Sequence, residues 1–195
     1  MAKIALSQHT SLDGVMQSPG STDVPFKYRG WIFDFDAGPE SERFQLEQAQ
    51  NSEALLLGRV TYEAMHAFWP TAQGAFADRL NELPKYVVSS TLTDPSWNVT
   101  VLGDEWPEVV ARLREELDGD ILVYGSRRLS QSLLEMGLVD ELRLIVYPVL
   151  LGAGDRLFGE TQDKIPLRLL ESRPFAGGVV NMIYTPATAL DVRGS

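Results

Sequence analysis

The chain of 195 residues contains no cysteine. Disulfides, thiolate metal sites and cysteine nucleophiles are therefore excluded, and a cytoplasmic location is expected. Histidine is nearly absent too. His9 and His66 alone leave little material for a histidine metal site or a Ser-His-Asp triad, and no metal is expected. No run reaches the roughly 18 apolar residues of a membrane helix. The N-terminus, Met1-Ala2-Lys3-Ile4-Ala5-Leu6, enters a strand-like run at once and does not read as a signal peptide. Positive charge is in short supply: 17 Lys and Arg face 27 Asp and Glu, for a net charge of −10. A sequence-independent nucleic-acid binder needs a basic surface, so nucleic acid is not an expected partner. An anionic small ligand remains possible where a few arginines act locally against the global field.

What is present is ordinary for a globular domain: 44% hydrophobic and 23% charged residues. One domain is expected over 1–186, with a disordered tail over 187–195. The chain is organised around Ala54-Leu55-Leu56-Leu57-Gly58-Arg59-Val60-Thr61-Tyr62-Glu63. A short apolar run ends in glycine and passes into a helix-compatible segment, as when a buried strand delivers the chain to a helix N-terminus. The first amides of a helix lack partners and its dipole is positive there, which suits phosphate. Gly58 permits close approach of another group, and Arg59 presents a planar fork of donors. The alternative for Arg59 is a surface salt bridge.

Lys3 to Gln8 reads as a central strand, followed by the turn Ser11-Leu12-Asp13-Gly14. Val15 to Gly38 is long, irregular and aromatic, with Phe26, Tyr28, Trp31, Phe33 and Phe35. It either lies over a ligand or packs on the core through its own side chains. Pro39 to Asn51 reads as a helix with proline and glutamates in its first turn. Helical spacing recurs from Val60 to Phe68 and from Ala75 to Leu83. Lys85 to Ser90 and Val99 to Leu102 read as strands. Trp106 to Leu117 is an amphipathic helix. Ile121-Leu122-Val123-Tyr124 is a strand covered on both faces, and Ser126 is the expected N-cap of the helix that follows. Glu141 to Val149 is a strand. Leu167 to Pro174 and Val179 to Thr185 form a hairpin joined through Ala176-Gly177-Gly178. Strands alternate with helices and then follow one another, which predicts an α/β sheet, parallel first and antiparallel at its C-terminal edge. Ligands of such sheets bind at the C-terminal strand ends. Four of these ends carry polar or glycine-rich sequence: Ser11 to Gly14, Gly58 to Thr61, Ser89 to Thr91, and Gly125 to Arg128.

Gly58-Arg59-Val60-Thr61-Tyr62-Glu63 resembles the Gly-Arg-x-Thr-x-Glu segment of dihydrofolate reductase, and Val88-Ser89-Ser90 resembles that family's adenosine-side strand end. Ser11-Leu12-Asp13-Gly14, Gly137-Leu138-Val139-Asp140-Glu141-Leu142, Pro148-Val149-Leu150-Leu151-Gly152-Ala153-Gly154 and Leu157-Phe158 resemble the C-terminal reductase domain of the riboflavin-biosynthesis deaminase–reductase. The resemblance covers Lys3 to about Tyr184 and implies a stand-alone reductase domain with a dihydrofolate-reductase-like three-layer α/β/α fold. It also implies NADPH as hydride donor and a homodimer. Carried over residue by residue, Arg59 with Ser89 or Ser90 holds the 2′-phosphate. Gly58 and Thr61 meet the pyrophosphate from one side, and Gly125, Ser126, Arg127 and Leu129 from the other. Tyr124 lies near the nicotinamide. In dihydrofolate reductase the counterpart of Gly125-Ser126 is Gly-Gly with a cis peptide; before serine a cis bond costs about 3 kcal/mol.

Hydride transfer to a C=N or C=O group leaves negative charge that a proton must neutralise. Asp13 is the first candidate to support that step, its alternative being a turn-forming Asp-Gly. Glu42 is the second, its alternative being a solvated partner of a helix dipole. Asp34 and Asp36 read as solvated, and His9 and His66 as packed residues. The expected activity is NADPH-dependent reduction of a small heterocycle, either ribosylaminouracil-phosphate-like or pterin-like. Lys27 and Arg29 are the basic residues nearest Asp13 in sequence. The alternatives are a ligand-binding protein without chemistry and a dimeric scaffold.

Overall fold

The two most apolar runs have no polar alternation, and such runs are stable only where both faces are covered. In the computed structural model, which describes residues 1–21, 24–159 and 164–187, these runs become β2 (Ser52–Gly58) and β5 (Asp120–Tyr124), adjacent in mid-sheet. Ala54 to Leu57 and Ile121 to Val123 are all fully buried. The other strands are β1 (Ile4–Ser11), β3 (Lys85–Val88), β4 (Val99–Leu102), β6 (Glu141–Tyr147), β7 (Leu167–Pro174) and β8 (Val180–Pro186). The order is β4-β3-β2-β5-β1-β6-β8-β7. Six strands from β4 to β6 run parallel; β8 pairs antiparallel with β6, and β7 antiparallel with β8.

Helices cover both faces, giving three layers. Val110 and Leu113 of α4 (Trp106–Glu116) and Leu129 and Leu133 of α5 (Arg127–Glu135) pack with Ile4, Leu6, Leu56 and Val123. On the opposite face, Ala49 of α1 (Gly38–Gln50), Tyr62 of α2 (Arg59–His66) and Leu80 of α3 (Ala75–Glu82) pack with Leu55, Leu57 and Leu122. The expected α/β/α architecture, dihydrofolate-reductase-like with an antiparallel C-terminal edge, is the one observed. Among the described residues no helix is long and apolar enough to cross a membrane.

Several boundaries differ from expectation for local reasons. β1 continues to Ser11 because β6 supplies a partner through the pair Ser11↔Tyr147. β6 stops at Tyr147, since Pro148 has no N–H to give to the ladder. β3 stops at Val88, so Ser89 and Ser90 leave the sheet. The long aromatic segment is partly core: Phe26 and Trp31 are buried, Trp31 meets Tyr147 edge-on at 5.3 Å, and its Nε1 donates to the Gln17 carbonyl. Phe33 alone of the five aromatics is strongly exposed, at 67%. The β7–β8 hairpin turns at Gly177, where φ is +65° and a Cβ would stand 2.6 Å from the Asp36 carbonyl oxygen, so only glycine fits. Of the expected tail, the Ala187 amide donates to the Pro166 carbonyl; residues 188–195 lie outside the described residues.

Candidate functional site

β2 and β5 are parallel neighbours, and each runs straight into a helix. α2 leaves toward one face of the sheet and α5 toward the other. Two helix N-termini therefore flank one crevice at the C-terminal strand ends, the place where open α/β sheets take ligands. Hydrogen bonds lock the two junctions together. The Gly58 amide donates to Ser126 Oγ at 2.9 Å, the Ser126 amide donates to Thr61 Oγ1 at 2.8 Å, and Ser126 Oγ donates to the Tyr124 carbonyl at 2.9 Å. Behind them, Ser130 Oγ donates to the Gly125 carbonyl, and Gln8 Nε2 reaches Ser130 Oγ from β1.

This geometry bears on three points of the sequence reading. The Gly58 and Ser126 amides are spent on the lock, so neither is free for a ligand. The first-turn amides that a helix leaves open are those of Arg59, Val60 and Thr61 on α2, and of Arg127, Arg128 and Leu129 on α5. Ser126 stands at the N-cap position, but its side chain makes no cap bond, because its left-handed backbone (φ 53°, ψ 49°) turns Oγ toward Tyr124 and Gly58. The Gly125–Ser126 peptide is trans. Gly125 is also left-handed, and a Cβ there would lie 3.1 Å from both Thr61 Oγ1 and Cγ2, so backbone and space both call for glycine.

Arg59 lies half-exposed at the start of α2, where its guanidinium pairs with Glu63 at 2.9 Å, one turn along the same helix. Ser89 Oγ accepts the amides of Thr91 at 3.1 Å and Leu92 at 3.0 Å, which shapes the turn after β3. Ser89 and Ser90 line a cavity of about 340 Å³ together with Val88, Gly103, Asp104 and Trp106. The last three escaped the sequence reading. The signal was available, since Gly103-Asp104 follows β4 as Ser89-Ser90 follows β3. Arg127 turns away from the crevice to Asp155 at 3.3 Å, and Arg128 is exposed. Leu129 is buried in the core, leaving its amide as the group it can offer.

At the same end of β5, where the strand enters the junction, the Tyr124 hydroxyl is buried with no partner among the described residues, and burial pushes its pKa above the ordinary phenol range. Tyr124 is in register with Ser7 of β1, whose buried hydroxyl is likewise unpaired. Asp13 lies beyond the end of β1, but its carboxylate is fully engaged. It accepts from Ser11 Oγ at 2.6 Å, the Leu151 amide at 3.1 Å and the Gly152 amide at 2.9 Å, and Arg156 stands 3.5 Å away. The Ser11 hydroxyl, helped by the two amides, holds its pKa down to about 2. Such a group is a staple between two loops and does not fit the part of a proton donor near neutral pH. Glu42 is exposed on α1. His9, two residues after Ser7 on the same face, meets Tyr147 OH through Nδ1 at 3.1 Å; burial lowers its pKa to about 4, against a hydrogen bond to Gln45 that raises it. His66 bonds Ser96 and stacks on Tyr62 away from the crevice.

The model of the RibD C-terminal domain family matches residues 2–181. The chain belongs to that family. A relative within reach of sequence comparison is the uncharacterized protein YyaP of Bacillus subtilis, 29% identical over 137 residues, covering 68% of this chain and 73% of YyaP. The crystal structure of a protein from Shewanella sp. PV-4 described as a "putative riboflavin biosynthesis protein" superposes with a TM-score of 0.77 at 20% identity, covering 96% of this chain and all of the other. The dihydrofolate reductase of Enterococcus faecalis, solved in complex with NADP(H), gives 0.64 at 16% identity, with 95% and 97% coverage. These superpositions show a shared fold. The residues of the strand-end crevice can be tested against a dinucleotide. At its centre Gly125 lets the two strand ends approach, with Thr61 in the space a Cβ would take, and the first-turn amides of α2 and α5 are the groups a pyrophosphate would meet.

Proposed function

We propose that this chain is an NADPH-dependent reductase of a small heterocyclic substrate, of the ribosylaminouracil-phosphate or pterin kind. The convergence of the α2 and α5 N-termini on one crevice, in a chain of this family, is the observation that carries the reading. The NADP(H) complex of the Enterococcus faecalis enzyme supports the choice of cofactor. Arg59 and the Ser89 or Ser90 hydroxyl hold the adenosine 2′-phosphate. The first-turn amides of α2 and α5, with Thr61 Oγ1, hold the pyrophosphate. The Tyr124 ring flanks the nicotinamide. When bound, the cofactor supplies a hydride to the carbon of a C=N or C=O group.

The substrate heteroatom then needs a proton. Asp13 is held ionised by its loop partners and Glu42 faces solvent, so the residues left to orient a proton-bearing water are Tyr124 and Ser7. Their unpaired hydroxyls face the same side of the sheet. Asp13 serves the site by fixing the Ser11 to Gly14 turn against Leu151 and Gly152. Two copies pair through the exposed edge of β7, where Leu169 and Leu170 are open to solvent. Light scattering tests that pairing.

A second reading, NADPH binding without turnover, draws on the same observation that neither candidate carboxylate is poised to give a proton. Oxidation of NADPH, followed by loss of its absorbance across ribosylaminopyrimidines, pterins and dihydrofolate, separates the two. Turnover of any of these supports the reductase. Binding with no turnover across the panel favours the second reading, and failure of the protein to bind NADPH refutes both.

A further inference from the structure

The bonds between the two strand ends do more than fill space. A non-glycine residue with φ of 53° carries backbone strain, and such residues persist only where their surroundings over-determine them. Ser126 is buried, and its amide and hydroxyl are both committed: the amide to Thr61 and the hydroxyl to Gly58 on the neighbouring strand end, with the hydroxyl also donating to the Tyr124 carbonyl of its own. Through those bonds β2–α2 and β5–α5, 68 residues apart in sequence at Gly58 and Ser126, hold one spacing. Gly125 allows the approach, since Thr61 occupies the space a Cβ would need.

We propose that Ser126 is the positioning residue of the cleft. It sets the spacing of the two helix N-termini so that their amides meet the two phosphates of one pyrophosphate, while making no contact with the cofactor itself. The inference rests on the proposed NADPH reading and adds to it a division of labour. The 2′-phosphate side, at Arg59 and Ser89 or Ser90, belongs to the β2–β3 half and works without the lock. The pyrophosphate spans both halves and depends on it.

The consequence is a difference between two ligands. Adenosine 2′-monophosphate touches only the β2–β3 half, whereas NADPH bridges both. Ser126→Ala removes the bonds to Gly58 and Tyr124, and its NADPH affinity, read by titration calorimetry, falls about tenfold, the worth of one or two hydrogen bonds. Its affinity for adenosine 2′-monophosphate stays within twofold of wild type. Amide hydrogen exchange reads the lock without any ligand: the Gly58 amide loses protection in Ser126→Ala while the β5 amides keep theirs. The proposal is overturned if Ser126→Ala binds NADPH as tightly as wild type, or if both ligands weaken by the same factor, which would indicate a general loss of structure. Wild-type protein that binds adenosine 2′-monophosphate but not NADPH also overturns it. Wild type that binds neither ligand refutes the NADPH reading itself and this inference with it.

Discussion

Arg59 now holds Glu63, and the proposed function requires it to hold a phosphate. The structure lets the two be weighed. The Arg59–Glu63 pair is an exposed i,i+4 contact with both side chains more than 40% accessible. Pairs of that kind are worth about 0.3–0.5 kcal/mol, because water screens them and two long side chains lose freedom. A charge-assisted bond from a guanidinium to a phosphate is worth about 1.5–3 kcal/mol. The phosphate wins, and the net gain on switching is about 1–2.5 kcal/mol. Arg59→Ala should therefore weaken NADPH binding by about 5- to 60-fold. NADH, which lacks the 2′-phosphate, should bind Arg59→Ala and wild type alike. The same arithmetic has a second arm. Glu63→Gln removes the competitor, so NADPH should bind about twofold tighter while NADH is unaffected. Fluorescence titration with both dinucleotides measures the four ratios. An NADPH-to-NADH ratio left unchanged by Arg59→Ala would refute the assignment of Arg59, whatever the absolute affinities.

Three further outcomes are expected. Gly125→Ala puts a side chain into the left-handed region and 3.1 Å from Thr61, so it should lower stability by at least about 1–2 kcal/mol in urea unfolding; a neutral substitution would mean the Gly125 backbone relaxes freely. The Asp13 pKa is held down to about 2 in the folded chain from an ordinary value of 3.8, so its contribution is present above about pH 4 and is lost as pH falls toward 2. Asp13→Asn should accordingly be less stable than wild type at pH 7, with the gap closing over that window, and a gap independent of pH would refute the staple. The His9 pKa is pushed down to about 4 from 6.5, so protonation favours the unfolded chain and stability falls as pH drops from about 6.5 to 4; His9→Gln should flatten that part of the profile in the same unfolding assay.

The architecture was legible because it rests on local pattern. Fully apolar runs such as Leu55 to Leu57 and Ile121 to Val123 need cover on both faces, and amphipathic segments such as Trp106 to Leu117 supply it. That alternation alone predicts a layered α/β sheet with ligand-bearing strand ends. Element ends were less legible where a partner decides them, as when β6 extends β1 to Ser11. Which strand ends carry the candidate site was also readable, since glycine, serine and arginine cluster after β2, β3 and β5.

Which partner each of those side chains holds was decided by the tertiary structure, because a hydrogen-bonding group can serve only the partner that folding brings to it. Asp13 read as the first candidate for the proton step, with a turn former as its alternative; the Leu151 and Gly152 amides, 138 and 139 residues away, fill its carboxylate. Ser126 looked like a helix cap until a left-handed backbone turned its hydroxyl to Gly58 across the sheet. Arg59 read as a phosphate ligand with a surface salt bridge as its alternative, and the helix it begins gave it Glu63. Sequence by itself determined the layers and the crevice, through burial and periodicity that act along the chain. The third dimension decided which polar groups at the crevice are spent and which remain for a ligand, because those pairings join segments that the sequence holds far apart.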